Sequence, residues 1–370
     1  MKYGLIVHFE TQNLGDDIQA YATEKFLPHT DYLIDREHLD SFYTKTGERV
    51  AAILSGWYLH KPLNWPPSPF LKILPISFHI TTSEGKKILT LTDYGANWLR
   101  NVTPIGCRDR GTMRELKRLQ IESYLSGCIT LTLNPFADVE PHGKIVLVDL
   151  SDEVVEFIRR RAEKNIVIVS HDNKKSLLPK EAVDFAAKFK NSERLPTSHY
   201  PEVRDHCYSK SKYPGTWNYR RALVEGLLKF YQGASLVVTS RLSAALPCLA
   251  LGTPVLLLRD AADLEKFKFS TYLTCLNCAT PEDLLAEKFS FDFNEPLPNP
   301  KKHKRFTGKI QTMCTEFIAA CESSDEPPID FDIWFDAMQK SLRLKKFIKM
   351  FAPGGDLPIP RLANEKLWRF

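Results

Sequence analysis

Three stretches of this sequence bring together side chains able to hold an anion or move a proton. The first is TSRLSAA, residues 239–245, inside the most hydrophobic run of the chain, residues 236–258. Arg241 is the one charge in that run. An unpaired guanidinium in an apolar setting is costly, so Arg241 requires an anionic partner, either a carboxylate or a ligand at a cleft. Thr239 and Ser240 add hydroxyls, and a helix expected from Leu242 and Ser243 onward would turn its partially positive N-terminus to the same place. That is the make-up of a phosphate or carboxylate site. The competing structural role is a salt bridge to an Asp of a facing domain.

The second stretch is IGCRDRGT, residues 105–112. Arg108 can present a bidentate fork to a carboxylate or phosphate. Asp109 can cap the following helix, and a local ion pair with Arg108 or Arg110 is the structural alternative. The third is NLGDD, residues 13–17. Gly15 lets the backbone turn tightly and approach a ligand. Asn13 or Asp16 can cap a helix, and Asp16 or Asp17 can bind sugar hydroxyls or accept a proton. His171, at the end of VIVSH, is a further titratable group, although a lone strand-end His is more often structural.

Each cluster lies where a strand pattern gives way to a helix pattern. KYGLIVHF (2–9) reads as a buried strand and DDIQAYATEKFL (16–27) as a helix with apolar residues at helical spacing. Strands are also expected over 49–59, 74–81 and 103–109, followed by the helix GTMRELKRLQ. In the second half, strands at 143–151, 165–172, 235–240 and TPVLLLR alternate with helices, one of them ended by Gly233 and one by Gly252, with Pro247 as a kink. This alternation predicts an α/β fold of two doubly wound, Rossmann-like domains, 1–140 and 141–325, facing a cleft between strand C-terminal ends. Residues 326–370 are expected to form a C-terminal amphipathic helix and tail.

Composition sets outer bounds. A chain of 370 residues with 43% hydrophobic and 26% charged residues is globular and long enough for two domains. A net charge of +5 suits anionic small ligands or a membrane surface, but is no footprint of nucleic-acid binding. The opening segment is too short in apolar residues for a signal peptide, and no window reaches a membrane span, so a cytoplasmic location and free thiols are expected. The helix pattern over 333–351 has a basic face, giving peripheral contact with an anionic membrane as one reading and packing onto the domains as the other. Trp57, Trp65 and Phe70 are candidates for a sugar-stacking platform. CLNC, Cys275 to Cys278, would need further zinc ligands from His206, Cys207 or Cys314, and is read as two small residues in a strand or loop. No cofactor or metal is expected.

NLGDDIQAYA, IGCRDRGTMRELKRLQIESYLSGCITLTL and LVVTSRLSAALPCLALGTPVLL together resemble the polysaccharide pyruvyl transferase family, as does GWYLHKPLNWPPSPF. The resemblance covers most of residues 3–258. It implies a fold like that of the GT-B glycosyltransferases and transfer of a pyruvyl group from phosphoenolpyruvate to the hydroxyls of a glycan acceptor, leaving a ketal. Phosphoenolpyruvate carries a carboxylate and a phosphate, so cationic sites at Arg241 and Arg108 fit, with Asp16, Asp17, Asp109 and His171 as acid/base candidates. One departure stands out. Members of the family usually have His after the Arg-Leu pair, where this chain has Ser243. A serine hydroxyl neither titrates near neutral pH nor carries an imidazolium charge. Three readings stay open: another His such as His171 or His79 substitutes, the donor is a nucleotide sugar as in GT-B glycosyltransferases, or the chain is a non-catalytic member.

Overall fold

The computed structural model describes residues 1–58, 64–80, 93–172, 175, 177–191, 217–324, 326–336 and 338–339. The first half runs β1 (Lys2–Val7), α1 (Leu14–Glu24), β2 (Tyr32–Asp35), β3 (Val50–Trp57), β4 (Leu71–His79), α2 (Asp93–Asn101), β5 (Ile105–Cys107), α3 (Arg110–Arg118) and β6 (Ser123–Leu125). Its strands form a six-stranded parallel sheet in the order β2-β1-β3-β4-β5-β6. The second half runs β7 (Ile145–Val148), α4 (Asp152–Arg159), β8 (Ile166–Val169), α5 (Lys180–Ala187), α6 (Trp217–Gln232), β9 (Leu236–Thr239), α7 (Leu242–Leu251), β10 (Val255–Leu258), the short helices α8 (Ala261–Leu264) and α9 (Phe267–Ser270), β11 (Asn277–Ala279), α10 (Pro281–Leu285) and α11 (Lys304–Glu322). Its five-stranded parallel sheet has the order β11-β10-β9-β7-β8. The chain is thus an α/β protein with two Rossmann-like halves.

The strand sequences explain the architecture. β7, β9 and β10 read IVLV, LVVT and VLLL and are buried throughout, as central parallel strands covered on both faces must be. β8 reads IVIV but lies at the sheet edge, where Ile168 is exposed. Helix starts follow the expected chemistry. Asn13 caps α1, accepting from Gly15 N, so that helix begins earlier than the apolar spacing alone suggests. Asp109 caps α3 and Ser151 caps α4. Gly252 closes α7 in the left-handed conformation, at φ +83°.

Two helices tie the halves together. α6 places Leu227, Phe230 and Tyr231 in the core beneath the second sheet. Its Trp217, Val224 and Leu228 join the core beneath the first. α11 begins with Phe306 on the second-half core and continues with Ile310, Cys314 and Ile318 against Leu5, Ile53 and Ile76 of the first sheet. The chain then stays with the first half: Trp334 and Met338 are fully buried beside Phe42 and Phe70. Those two members of the amphipathic pattern therefore face protein, whereas Ile333 is exposed. Residues 340–351 of that pattern lie outside the described residues.

No helix among the described residues is long and apolar enough to cross a membrane. Cys107, Cys128, Cys248, Cys275, Cys278, Cys314 and Cys321 are free thiols, and no His/Cys/Asp/Glu cluster among the described residues could hold a metal ion. Cys278 lies on β11, with Cys275 in the turn before it; His206 and Cys207 are outside the described residues.

Candidate functional site

The carboxyl ends of the two sheets meet. Leu14 N, at the start of α1, donates to the carbonyl of His171 at 3.0 Å, and Asn13 bridges to Asp172. Gly15 makes this approach possible: a Cβ there would fall 2.6 Å from Ser243 Cβ. On the other side, the Tyr272 hydroxyl donates to the Arg108 carbonyl at 2.5 Å, and Arg110 N donates to Thr271 Oγ1 at 3.1 Å. The loops leaving the first sheet are therefore fixed against elements of the second half.

Arg108, the residue after β5, is only 6% exposed. Its Nη1 donates to Gln19 Oε1 at 3.3 Å, and its Nε has no hydrogen-bond partner. Among the described residues it forms no ion pair, although a buried guanidinium without a counter-charge is strongly disfavoured. Lys268, on α9, lies near it and likewise forms no ion pair among the described residues. The Lys268 Nζ sits 6.0 Å from the Trp57 ring centroid and 5.7 Å from that of Phe269. Burial, then repulsion from Arg108, Arg259 and Arg241, lowers the Lys268 pKa to about 8, against a smaller pull from Asp109. The place is thus a concentration of positive charge with too few carboxylates.

His79 stands at the end of β4 beside this cluster. The β3–β4 register shifts between Leu54 and Gly56, and Ser77 takes φ +55°, so a bulge re-aims the strand just before His79. His79 Nδ1 lies 2.5 Å from Asp109 Oδ2. The carboxylate can only accept, so Nδ1 carries the proton and Nε2 the lone pair. Asp109 Oδ1 also accepts Thr112 N at 2.9 Å. Burial lowers the pKa of His79 in spite of Asp109. Burial works to raise Asp109, but His79, the Thr112 N–H and Arg108 hold its carboxyl below the ordinary range. The arrangement is a neutral imidazole oriented by a carboxylate, the pattern of a general base. Of the proposed aromatic platform, Trp57 alone borders this pair, its ring centroid 6.0 Å from that of His79. Trp65 packs on Trp98 and Phe78, and Phe70 is fully buried against Trp334.

The Arg241 stretch resolves differently. Arg241 Nε donates to Asp149 Oδ2 at 2.9 Å, and Asp149 belongs to the same half rather than to the facing one. Ser170 Oγ donates to Asp149 Oδ1 at 2.6 Å and His171 N to Oδ2 at 3.1 Å. Burial would raise the pKa of Asp149, but Ser170, Arg241 and His171 N outweigh it and hold the carboxyl below its ordinary range. The neighbouring polar groups serve the backbone: Arg241 N donates to Thr239 Oγ1 at 2.9 Å and Ser240 Oγ to the Asp149 carbonyl at 2.6 Å. Leu242 is core. Arg241 keeps 39% of its side chain exposed, so its remaining N–H groups can still meet a ligand at the rim.

The other titratable candidates are held by partners. Asp16 accepts from Arg36 Nη1 at 2.8 Å and from Thr11 Oγ1 at 2.6 Å, with His8 Nδ1 at 3.5 Å. Burial is outweighed by Arg36, His8 and Thr11, so its carboxyl sits well below the usual range. Asp17 forms a buried ion pair with Arg220 of α6, which also donates to the His8 carbonyl at 3.1 Å. His171 is fully buried, its Nδ1 3.1 Å from Ser243 Oγ and its Nε2 2.8 Å from the Tyr231 hydroxyl. Burial lowers its pKa to about 4, against Asp149.

Sequence reading missed Lys268, Asp149, Arg220, His8 and Arg36 as members of these networks. Arg36 follows β2, a strand of four residues too short to stand out. Lys268 lies in EKFKFS, which carries no motif; its role comes only from the fold.

Fold and site together define a two-lobed α/β protein that gathers cationic and titratable side chains where its sheets meet. Residues 13–260 match the family described as polysaccharide pyruvyl transferase. The chain belongs to that family, which makes it a member of a group of glycan-modifying transferases. A solved structure of a functionally uncharacterised protein from Klebsiella pneumoniae subsp. pneumoniae NTUH-K2044 is similar at 14% identity and a TM-score of 0.40, covering 73% of this chain and 87% of that one. No curated protein matches the chain.

Proposed function

We propose that the chain transfers a pyruvyl group from phosphoenolpyruvate to two hydroxyls of a glycan, forming a ketal and releasing inorganic phosphate, within the cytoplasm. The observation that carries this reading is Arg108: a buried guanidinium with a partnerless Nε and no ion pair among the described residues, beside the equally unpaired Lys268. A small dianionic or trianionic donor supplies the missing counter-charge. Arg108 and Lys268 bind its phosphate and carboxylate, with Arg241 at the rim.

In the reaction, a proton is added to the donor's methylene carbon while one sugar oxygen attacks the adjacent carbon. A second sugar hydroxyl then displaces the phosphate. One hydroxyl proton replaces the proton delivered to the methyl group, and the other leaves on phosphate, so the step needs no co-reactant. His79, oriented by Asp109, is the group placed to take a proton from a sugar hydroxyl. Asp109 thus acts through His79. Asp16 stays ionised and holds Arg36, Asp17 joins the halves through Arg220, and His171 fixes the Ser243 turn.

Calorimetric titration tests the donor. Phosphoenolpyruvate should bind the purified protein, while nucleotide sugars show no saturable heat. Binding of a nucleotide sugar with none of phosphoenolpyruvate would overturn the reading in favour of glycosyl transfer.

A further inference from the structure

The second sheet reverses its strand order at β7 and β9: the chain passes from β7 to β8 on one side, then to β9 on the other. Open α/β sheets hold ligands in the crevice outside the strand carboxyl ends at such a reversal. A cavity of about 420 Å³ occupies this position, between the residues after β7, Ser240 after β9 and the start of α10. Its volume falls within the ~300–1,000 Å³ range of small-ligand sites. Asp149, on its wall, is a non-glycine residue held at φ +51°, a conformation that persists where the surroundings impose it.

Charge decides what fits. Asp149 is already paired with Arg241, and Arg259 with Asp263. That leaves Glu153, Asp260 and Glu282 on the lining with no ion pair among the described residues. Between these carboxylates lie apolar surfaces of Leu150, Leu258 and Leu285. The lining is therefore net negative, opposite in sign to the Arg108–Lys268 cluster. The two places adjoin: the Arg259 guanidinium lies 5.0 Å from the Phe269 ring and Lys268 Nζ 5.7 Å from the same ring.

We propose that this cavity binds the acceptor, and that the acceptor is an uncharged or amino-bearing sugar. Its hydroxyls donate to Glu153, Asp260 and Glu282, and its apolar ring face rests on Leu258 and Leu285. Carboxylated, phosphorylated and nucleotide-linked sugars are repelled from it, which also keeps the anionic donor on the basic side. The word acceptor rests on the transferase reading above; the selection by charge does not.

Saturation-transfer NMR on the full chain tests it, with methyl galactoside, methyl mannoside, N-acetylglucosamine and glucosamine as probes against glucuronic acid and UDP-glucose. At least one neutral or amino sugar should receive saturation, and the anionic sugars should bind at least tenfold more weakly. The double variant Glu153→Gln, Glu282→Gln alters exposed side chains and leaves the fold intact; it should weaken the sugar at least tenfold. Leu285→Trp, which fills the cavity, should abolish binding. Both variants should keep the phosphoenolpyruvate-induced thermal shift of the parent. No signal from any probe, equal binding of the anionic sugars, or a signal that survives both sets of substitutions would overturn the inference. Sugar binding that maps to the cavity in a protein indifferent to phosphoenolpyruvate would uphold the cavity and sink the donor reading instead.

Discussion

The two arginines at the strand ends, Arg108 and Arg241, invert their prominence in the sequence. Arg241 stands alone in the most hydrophobic run of the chain, yet it is partly exposed and hydrogen-bonded to Asp149. Arg108 sits in a stretch dense with charge, where Asp109 is an obvious partner. In the fold Asp109 turns to His79 and the start of α3, and Arg108 is left buried with no ion pair among the described residues. A charge surrounded by apolar sequence therefore need not be the one that awaits a ligand. What matters is whether the fold has already supplied its partner.

Substitutions can break that comparison. The largest effect on stability belongs to neither arginine but to the contact that holds the halves in place. Arg220→Ala should cost about 3–5 kcal/mol by stranding the buried carboxylate of Asp17. Chemical denaturation measures it, and a loss under 1 kcal/mol would show that Asp17 is solvated or protonated without its partner. If Arg108 binds the donor as proposed, Arg108→Ala should lower kcat/KM by about 10²–10³-fold, while stability holds or rises because its buried Nε has no partner to lose. Arg241→Ala should instead lower stability by about 1–2 kcal/mol, because Asp149 loses a charged hydrogen-bond partner. Equal effects of the two substitutions on both quantities would erase the distinction drawn between them.

A smaller effect should appear on changing pH. The Lys268 pKa is lowered to about 8, below the ordinary lysine value, so the unfolded chain binds more protons between there and the ordinary value. The unliganded protein should gain stability from this group as pH rises through that window. On the proposed donor contact, donor affinity should fall over the same window, as the Lys268 ammonium loses its charge. Calorimetry across that range checks it, and Lys268→Arg should flatten the decline, since arginine keeps its charge.

Much of the fold was legible in the sequence. Strands buried on both faces announce themselves as unbroken runs such as VLLL, and caps such as Asn13, Asp109 and Ser151 mark helix starts through their own hydrogen bonds. β2 escaped because its four residues carry too little pattern. α11 was not read at all, and its return to the first sheet has no local signal, since even an amphipathic pattern shows that a helix packs but not against what. The site was legible in part. The junctions holding Asn13, Arg108 and Arg241 do converge, because they end or follow strands whose carboxyl ends meet. Which acid is tied to which base was not, for Asp17 meets Arg220 and His79 meets Asp109 across 203 and 30 residues of chain. Such pairings depend on tertiary placement that no local spacing encodes.

The central claim is that Arg108, rather than Arg241, carries the donor's charge. Thermal unfolding of the parent protein, Arg108→Ala and Arg241→Ala, each with and without phosphoenolpyruvate, addresses it directly. Donor at one hundred times its dissociation constant adds about 2.7 kcal/mol, a readable shift in Tm. The shift should disappear in Arg108→Ala and persist, reduced, in Arg241→Ala. A full shift in Arg108→Ala with none in Arg241→Ala would contradict the claim and place the anion at the rim of the second sheet.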